Sequence, residues 1–396
     1  MSLFSAVEAA PADPILGLTE KFNADTDPRK VNLGVGVYQD ASGKLPLLEA
    51  VRAAEARLSA DPKPRGYLPI DGLKPYNDDV KELVFGVGAE VLGRTITLQA
   101  LGGTGALKIG ADFLRQVTGA TRVLISSPSW ENHRALFTRA GFEVGEYRYY
   151  EPAARGIDFA GMLADLRAAE PGTVVVLHAC CHNPTGYDLD PGQWAEVIEV
   201  VKAGALTAFL DLAYQGFSKS LEEDGAVVRA FADAGLSFFC STSFSKSFSL
   251  YGERVGALSI VCADADEAKR VLSQAKIVVR TNYSNPPTHG AALVETVLRD
   301  PDLRAQWVAE LGVMRDRIKA MRTALVDGLR AEGIEDMGFI AEQVGMFSYS
   351  GLTKEQMVAL REQHHVYGTD AGRICVAALN DRNVGYVSQA IAAVLR

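Results

Sequence analysis

The strongest constraint on this chain is a series of short, unbroken apolar runs, each ending in a polar loop. They are "TRVLISSPSW" (121–130), "GTVVVLHACCHNPTG" (172–186), "LTAFLDLAYQGF" (206–217), "LSFFCSTSFSK" (236–246) and "VGALSIVCA" (255–263). Strands exposed on one face alternate apolar and polar residues, whereas unbroken runs are covered on both faces. Helix-like stretches such as "PGQWAEVIEVVKAG" (191–204) lie between several of them. The expectation is an α/β fold with a mostly parallel central sheet. Ligand sites in such sheets lie beyond the carboxyl ends of the strands, where the polar loops are expected to gather.

After about residue 300 the pattern changes. Residues 304–333 carry apolar side chains at 307, 311, 314, 318, 321, 325 and 329. Steps of three and four predict one long amphipathic helix, with Gly333 as its stop. The remaining C-terminal segment reads as a smaller α+β domain. The first 45 residues have no sheet pattern of their own and are expected to pack onto it. The domain reading is therefore a large domain over 46–303, and an N-terminal arm (1–45) with a small domain (304–396).

The length of 396 residues exceeds one ordinary core and suits two domains. A net charge of −9 argues against a nucleic-acid partner, which calls for a basic stripe. The five cysteines form no C-x-x-C pair, which points to a reducing, cytoplasmic compartment. The N-terminus lacks the basic and apolar regions of a signal peptide. No apolar stretch approaches the roughly 18 residues of a membrane span, so no membrane partner is expected.

The loop "STSFSKSFSLYGERVG" (241–256) sets one lysine, Lys246, and one arginine, Arg254, among hydroxyls. A lysine that forms a Schiff base must be neutral, so it needs burial or nearby cations. Otherwise Lys246 is an ordinary solvated lysine. Asp211 ends an apolar run, where a bare charge is costly. It answers either to a protonated heterocycle, to a structural arginine, or to the next helix as a cap. Asn183, in "CHNPTG", points into a site or makes a plain turn. "LGGTGALKIGADFL" (101–114) opens a helix with glycines, an arrangement that suits a phosphate. It is neither a Walker A loop, since Leu107 precedes Lys108, nor a dinucleotide fingerprint. Trp130, in "SPSWENH", either stacks on a planar ring or belongs to the core. Arg373 and Arg280 each suit a carboxylate or a structural ion pair. The histidines match no metal motif, and there is no serine elbow.

These elements occur together and in order: "VNLGVGVY" (31–38), "RGYLPIDG" (65–72), "GGTGAL", "SWENH", "HACCHNPTG", "DLAYQGF", "SFSKSFSLYGERVG", "RTNYSNPP" and "GRICVAALN". The set resembles the class I aspartate/aromatic aminotransferases, pyridoxal-phosphate (PLP) enzymes of fold type I. The resemblance implies that Lys246 holds the cofactor aldehyde and later carries the proton from the substrate's Cα. It implies that Asp211 pairs with the pyridinium nitrogen, that Tyr214 and Asn183 donate to the ring's phenolic oxygen, and that Trp130 covers the ring. Gly103, Thr104, Ser243, Ser245 and Arg254 would hold the phosphate. Arg373 would take the substrate α-carboxylate, with Gly36 in a loop folding over it. His133 and His178 would stand near Asp211, and the bonds Ser127–Pro128 and Asn183–Pro184 would be cis. Tyr67 and Arg280 match residues contributed by a neighbouring subunit, which implies a homodimer with shared sites.

The same resemblance makes amino acids and 2-oxo acids the partners. Arg280 predicts dicarboxylic substrates, yet an aromatic aminotransferase also needs it for 2-oxoglutarate. Val37, Thr104 and Asn285 are similar to the aspartate branch, whereas Leu45 and Gly66 would admit a ring. Dual use of aspartate and aromatic substrates is the expectation. Elimination or decarboxylation on the same fold is the alternative, and a clamp on the α-carboxylate argues against it. "HHVYGTDAG" (364–372) is more polar than the family's usual stretch.

Overall fold

In the computed structural model, which describes residues 2–9 and 16–396, the five apolar runs become neighbouring strands. Residues 1 and 10–15, part of the stretch read as lacking a signal peptide, lie outside the described residues. The strands are β1 (Val31–Asn32), β2 (Thr95–Leu101), β3 (Arg122–Ser127), β4 (Glu143–Arg148), β5 (Tyr150–Glu151), β6 (Gly156–Ile157), β7 (Val174–His178), β8 (Thr207–Leu212), β9 (Phe238–Ser243), β10 (Val255–Val261), β11 (Phe347–Tyr349), β12 (Val366–Tyr367) and β13 (Arg373–Cys375). The main sheet has seven strands in the order β2-β10-β9-β8-β7-β3-β4.

Strands β4, β3, β7, β8 and β9 pair in parallel. β10 runs antiparallel to both β9 and β2, so it departs from the expectation that each run leads into its polar loop. Here the loop with Arg254 comes first and the strand comes after it. Because β10 is reversed, its start still lies at the carboxyl end of its neighbours: Gly256 pairs with Ser243, and Val255 with Leu101. In the same way His178 faces Asp211, and Asp211 faces Ser241. One edge of the sheet therefore gathers the ends of five strands.

The predicted long helix spans Pro301–Ala331, and all seven of its apolar positions are buried. It starts before the 303/304 boundary read from the sequence, which therefore falls inside its first turn. Asp300 caps it, accepting from the amides of Asp302 and Leu303. Trp307 is fully buried and stacks on Phe248 with ring centroids 4.3 Å apart. Its Nε1 donates to the Ser247 carbonyl at 2.7 Å. The helix is thereby tied to the Lys246 loop.

The N-terminal segment forms more sheet than expected. β1 pairs in parallel with β12, and the Cys375 amide donates to the Leu33 carbonyl at 2.7 Å. β11 and β13 make a second small antiparallel pair that carries Arg373. Among the described residues no helix is long and apolar enough to cross a membrane.

Trp307→Ala should lower the unfolding free energy by about 3–5 kcal/mol, the usual cost of emptying a buried aromatic site. Urea denaturation measures it, and a loss under about 1 kcal/mol would mean that the helix does not anchor the loop.

Candidate active site

Lys246 lies in the loop after β9, with Nζ 4.6 Å from the centroid of the Tyr214 ring. Burial lowers its pKa to about 8; Asp211 opposes the shift, while Arg254 and Arg373 add to it. Both conditions demanded of a reactive lysine, burial and neighbouring cations, are therefore met.

Asp211 is 5% exposed at the end of β8. Burial pushes its carboxyl up, but the hydrogen bond from His133, with Lys246 nearby, outweighs burial and leaves it below the usual carboxylate range. His133 Nε2 donates to Asp211 Oδ2 at 3.0 Å, and Ser129 Oγ meets His133 Nδ1 at 3.0 Å. A charge-assisted bond of this kind contributes about 1.5–3 kcal/mol. The His178 ring lies 5.0 Å from that of His133, and neither of its nitrogens has a protein partner. Burial, helped by His133, holds the His178 pKa down to about 3 against the pull of Asp211, so its ring is neutral. No metal motif was legible in the sequence, yet the ligand atoms of His133, His178 and Asp211 lie within 4.8 Å of one another. His182 has another role. It stacks on Tyr149 at 4.0 Å, and Ser126 and Thr185 hold its two nitrogens.

A second feature is a cradle lined with hydrogen-bond donors. The helix Gly102–Phe113 starts with no side-chain cap, so its first amides have no partner on that side. Gly102 has φ +69°, and a Cβ there would come within 2.6 Å of Arg254 Nη2. A Cβ at Gly103 would come within 3.1 Å of Ser243 Cβ. Ser243 and Ser245 are buried beside this bend. Arg254 Nη1 donates to Ser245 Oγ at 3.4 Å and to the Tyr251 carbonyl at 3.0 Å. Arg254 itself has φ +56°, a strained conformation for a residue with a side chain. An uncapped helix start, two hydroxyls and a guanidinium fit a compact dianion.

Arg373 is the third feature, 1% exposed. Nη1 donates to Asn183 Oδ1 at 3.1 Å, and Nη2 to the Gly34 carbonyl at 2.8 Å. Its Nε is buried without a partner. Asn183 Nδ2 reaches the Tyr214 hydroxyl at 3.5 Å, which links Arg373 to the ring under Lys246. Phe347 was not singled out in the sequence. The Arg373 guanidinium carbon lies 4.3 Å from its ring centroid, and a Cβ at Gly36 would collide with that ring at 2.6 Å. Phe347 stands in a short strand without a motif, so no local signal marks it.

Trp130 is half-buried at the start of the helix Glu131–Arg139, edge-on to His133 at 5.2 Å. The bonds Ser127–Pro128 and Asn183–Pro184 are cis. The chain thus brings Lys246, Asp211, Tyr214, Asn183, His133, Arg373 and the Gly103 cradle to one sheet edge. Tyr67 and Arg280 do not join them. Tyr67 is 94% exposed, and Arg280 lies exposed at the end of the helix Ala265–Asn282, bonded to Ser284.

Residues 28–391 match the family model for aminotransferase class I and II. The chain is 59% identical to an aspartate aminotransferase of Pseudomonas aeruginosa, over 100% of both chains. It is 50% identical to an aromatic-amino-acid aminotransferase of Escherichia coli, over 99% of this chain and 100% of that protein. Among solved structures, the aromatic-amino-acid aminotransferase of Burkholderia pseudomallei, covalently bound to pyridoxal phosphate, superposes with a TM-score of 0.97. It is 64% identical over 100% of both chains. With sequence, fold and the amine–carboxylate–guanidinium cluster in agreement, the chain belongs to the class I and II aminotransferases.

Proposed function

We propose that this protein is a pyridoxal 5′-phosphate-dependent transaminase. It moves amino groups between aspartate or aromatic amino acids and 2-oxoglutarate. The observation that carries the reading is the Lys246 amine, set against Tyr214 with its pKa lowered to about 8 and a charged Asp211 nearby.

The chemistry that bound pyridoxal phosphate supplies is a sink for the electron pair left on the substrate α-carbon. Lys246 would hold the cofactor's aldehyde carbon, and its Nζ, when free, would be the base for the substrate's α-proton. Asp211, braced by His133, keeps the ring nitrogen protonated. Tyr214 and Asn183 would donate to the ring's phenolic oxygen, and Trp130 would pack against the ring. Gly103, Thr104, Ser243, Ser245 and Arg254 receive the phosphate; the uncapped helix start supports this assignment. Arg373 takes the α-carboxylate, which its partnerless Nε and its tether to Asn183 support. The Gly36 loop closes beside it, against Phe347.

Tyr67 and Arg280 act in the neighbouring subunit's site, so the working unit is a homodimer. Their exposure in the single chain supports that assignment. Residues 46–303 would form one domain, and 1–45 with 304–396 the other. Five free, buried cysteines support a reducing cytoplasm. Dual substrate use is supported by relatives that carry both names, aspartate aminotransferase at 59% identity and aromatic-amino-acid aminotransferase at 50%.

Four outcomes are expected. Borohydride reduction of the cofactor-loaded protein, then peptide mapping, should find the pyridoxyl group on Lys246. Lys246→Ala should still bind cofactor but lose turnover by several orders of magnitude; a label on another lysine, or normal turnover, would remove Lys246 from its role. In the cofactor-free protein, the Lys246 amine is neutral above its pKa of about 8 and charged below it. Its labelling rate should therefore rise through pH 7–9, and a midpoint near 10.5, the ordinary lysine value, would contradict the burial argument. Steady-state kcat/KM for aspartate and phenylalanine should differ by less than about a thousandfold, or about 4 kcal/mol of transition-state preference. A larger gap would end dual use.

A further inference from the structure

Gln99 sits in β2, 2% exposed and outside the cluster around Lys246. It contacts two separate segments. One is the loop over 65–73, which carries Tyr67; the other is the segment over 280–287, which carries Arg280. The Gln99 amide donates to the Asp71 carbonyl at 3.0 Å. Its side-chain Oε1 accepts from the Leu73 amide at 3.0 Å. Its Nε2 donates to the Pro287 carbonyl at 2.6 Å. The Tyr283 hydroxyl donates to the Gln99 carbonyl at 3.5 Å.

We infer that Gln99 is a positioning residue: it locks the Tyr67 loop and the Arg280 segment to each other, so that both reach the neighbouring subunit's site at one fixed spacing. This rests on the shared-site reading above. A carboxamide carries an acceptor and a donor at its tip. Gln99 uses its acceptor on one segment and its donor on the other, which neither a carboxylate nor an aliphatic side chain can do. Gly72 permits the close approach. It has φ +94°, and a Cβ there would collide with the Gln99 side chain. A second clasp stands outside the first. Lys276 Nζ pairs with Asp71 Oδ1 at 3.1 Å. Lys276 and Arg280 lie four residues apart on one helix, hence on one face. Two independent ties thus join the Tyr67 loop to the helix and the following segment that carry Arg280. Displacements of about 1 Å in a binding group can cost up to a hundredfold in rate, so a clasp of this kind acts on turnover without touching substrate.

The test compares aspartate, whose distal carboxylate calls for Arg280, with phenylalanine, which has none. Single-turnover half-reactions on the cofactor-loaded enzyme give an apparent Kd for each. Gln99→Met keeps the volume and removes both side-chain bonds. It should raise the aspartate Kd about five- to tenfold, the equivalent of one to two lost hydrogen bonds, and leave the phenylalanine Kd within about twofold. Lys276→Met, at the surface, should move the same ratio in the same direction by less, and decides the matter if Gln99→Met yields no soluble protein. Arg280→Ala is the control. If it abolishes the preference for aspartate while both other variants keep the wild-type ratio, the clasp is overturned and the shared-site reading stands. If Arg280→Ala itself leaves the ratio unchanged, the shared-site reading fails and the clasp with it.

Discussion

A buried carboxylate beside a buried amine is the constraint around which this molecule is arranged. Left alone, Asp211 would hold Lys246 in its charged form, and a charged amine is no nucleophile. Asp211 does pull the lysine pKa upward, but burial dominates, and Arg254 and Arg373 add to its effect. The carboxylate is held by His133, itself braced by Ser129. Burying that charge costs several kcal/mol. The aspartate stays ionised because the hydrogen bond from His133 and the charged groups around it outweigh its burial. The two groups therefore share one low-dielectric site without neutralising each other.

That balance needs groups from distant parts of the chain at one sheet edge, and strand direction provides this. Parallel strands β8 and β9 deliver Asp211 and the Lys246 loop by running the same way. Arg254 precedes its strand, so only a reversed β10 brings it to that edge. The reversal also closes Gly256 against the Gly102 backbone, where a Cβ would meet the Gly102 carbonyl carbon at 2.5 Å. The donor-lined cradle and the amine are consequences of the same pairing. The long helix then fixes the loop between them, through Trp307 and the Ser247 carbonyl.

The sequence made one part of this legible and hid another, for physical reasons. Unbroken apolar runs exposed β3, β7, β8, β9 and β10, and the spacing over 304–333 exposed the long helix. β4 escaped because it is an edge strand, mostly exposed and polar, with no apolar run to read. β2 escaped because Thr95, Thr97 and Gln99 interrupt it, although all three are buried; Thr97 spends its hydroxyl on Ser259 at 2.9 Å, a bond invisible without the fold. The direction of β10 was equally hidden, since apolar patterning has no polarity. At the site, residues with unusual chemistry for their place, such as Lys246, Asp211 and Arg373, were readable. Phe347 and Gln99 were not, because their significance comes from what the fold sets against them.

The polar stretch 364–372 is where the N-terminal arm is fastened. His365 Nδ1 meets Asp25 Oδ2 at 2.7 Å, its Nε2 lies 3.3 Å from Asp27, and the Tyr367 hydroxyl donates to Asp25 at 2.6 Å. The Tyr367 hydroxyl above all, then the Asp27 amide and His365, hold the Asp25 carboxyl well below its ordinary range, so it remains a charged acceptor. The Tyr367 ring also meets Phe22 edge-on at 5.4 Å. From this fastening the arm continues through Leu33, whose amide donates to the Tyr367 carbonyl at 2.7 Å. The next residue is Gly34, and its carbonyl accepts from Arg373. The main chain therefore leads directly from the fastening to the carbonyl that holds the Arg373 guanidinium. A more apolar stretch would pack the arm without directing it. The polar one fixes its register, and with it the carbonyl that orients the Arg373 guanidinium.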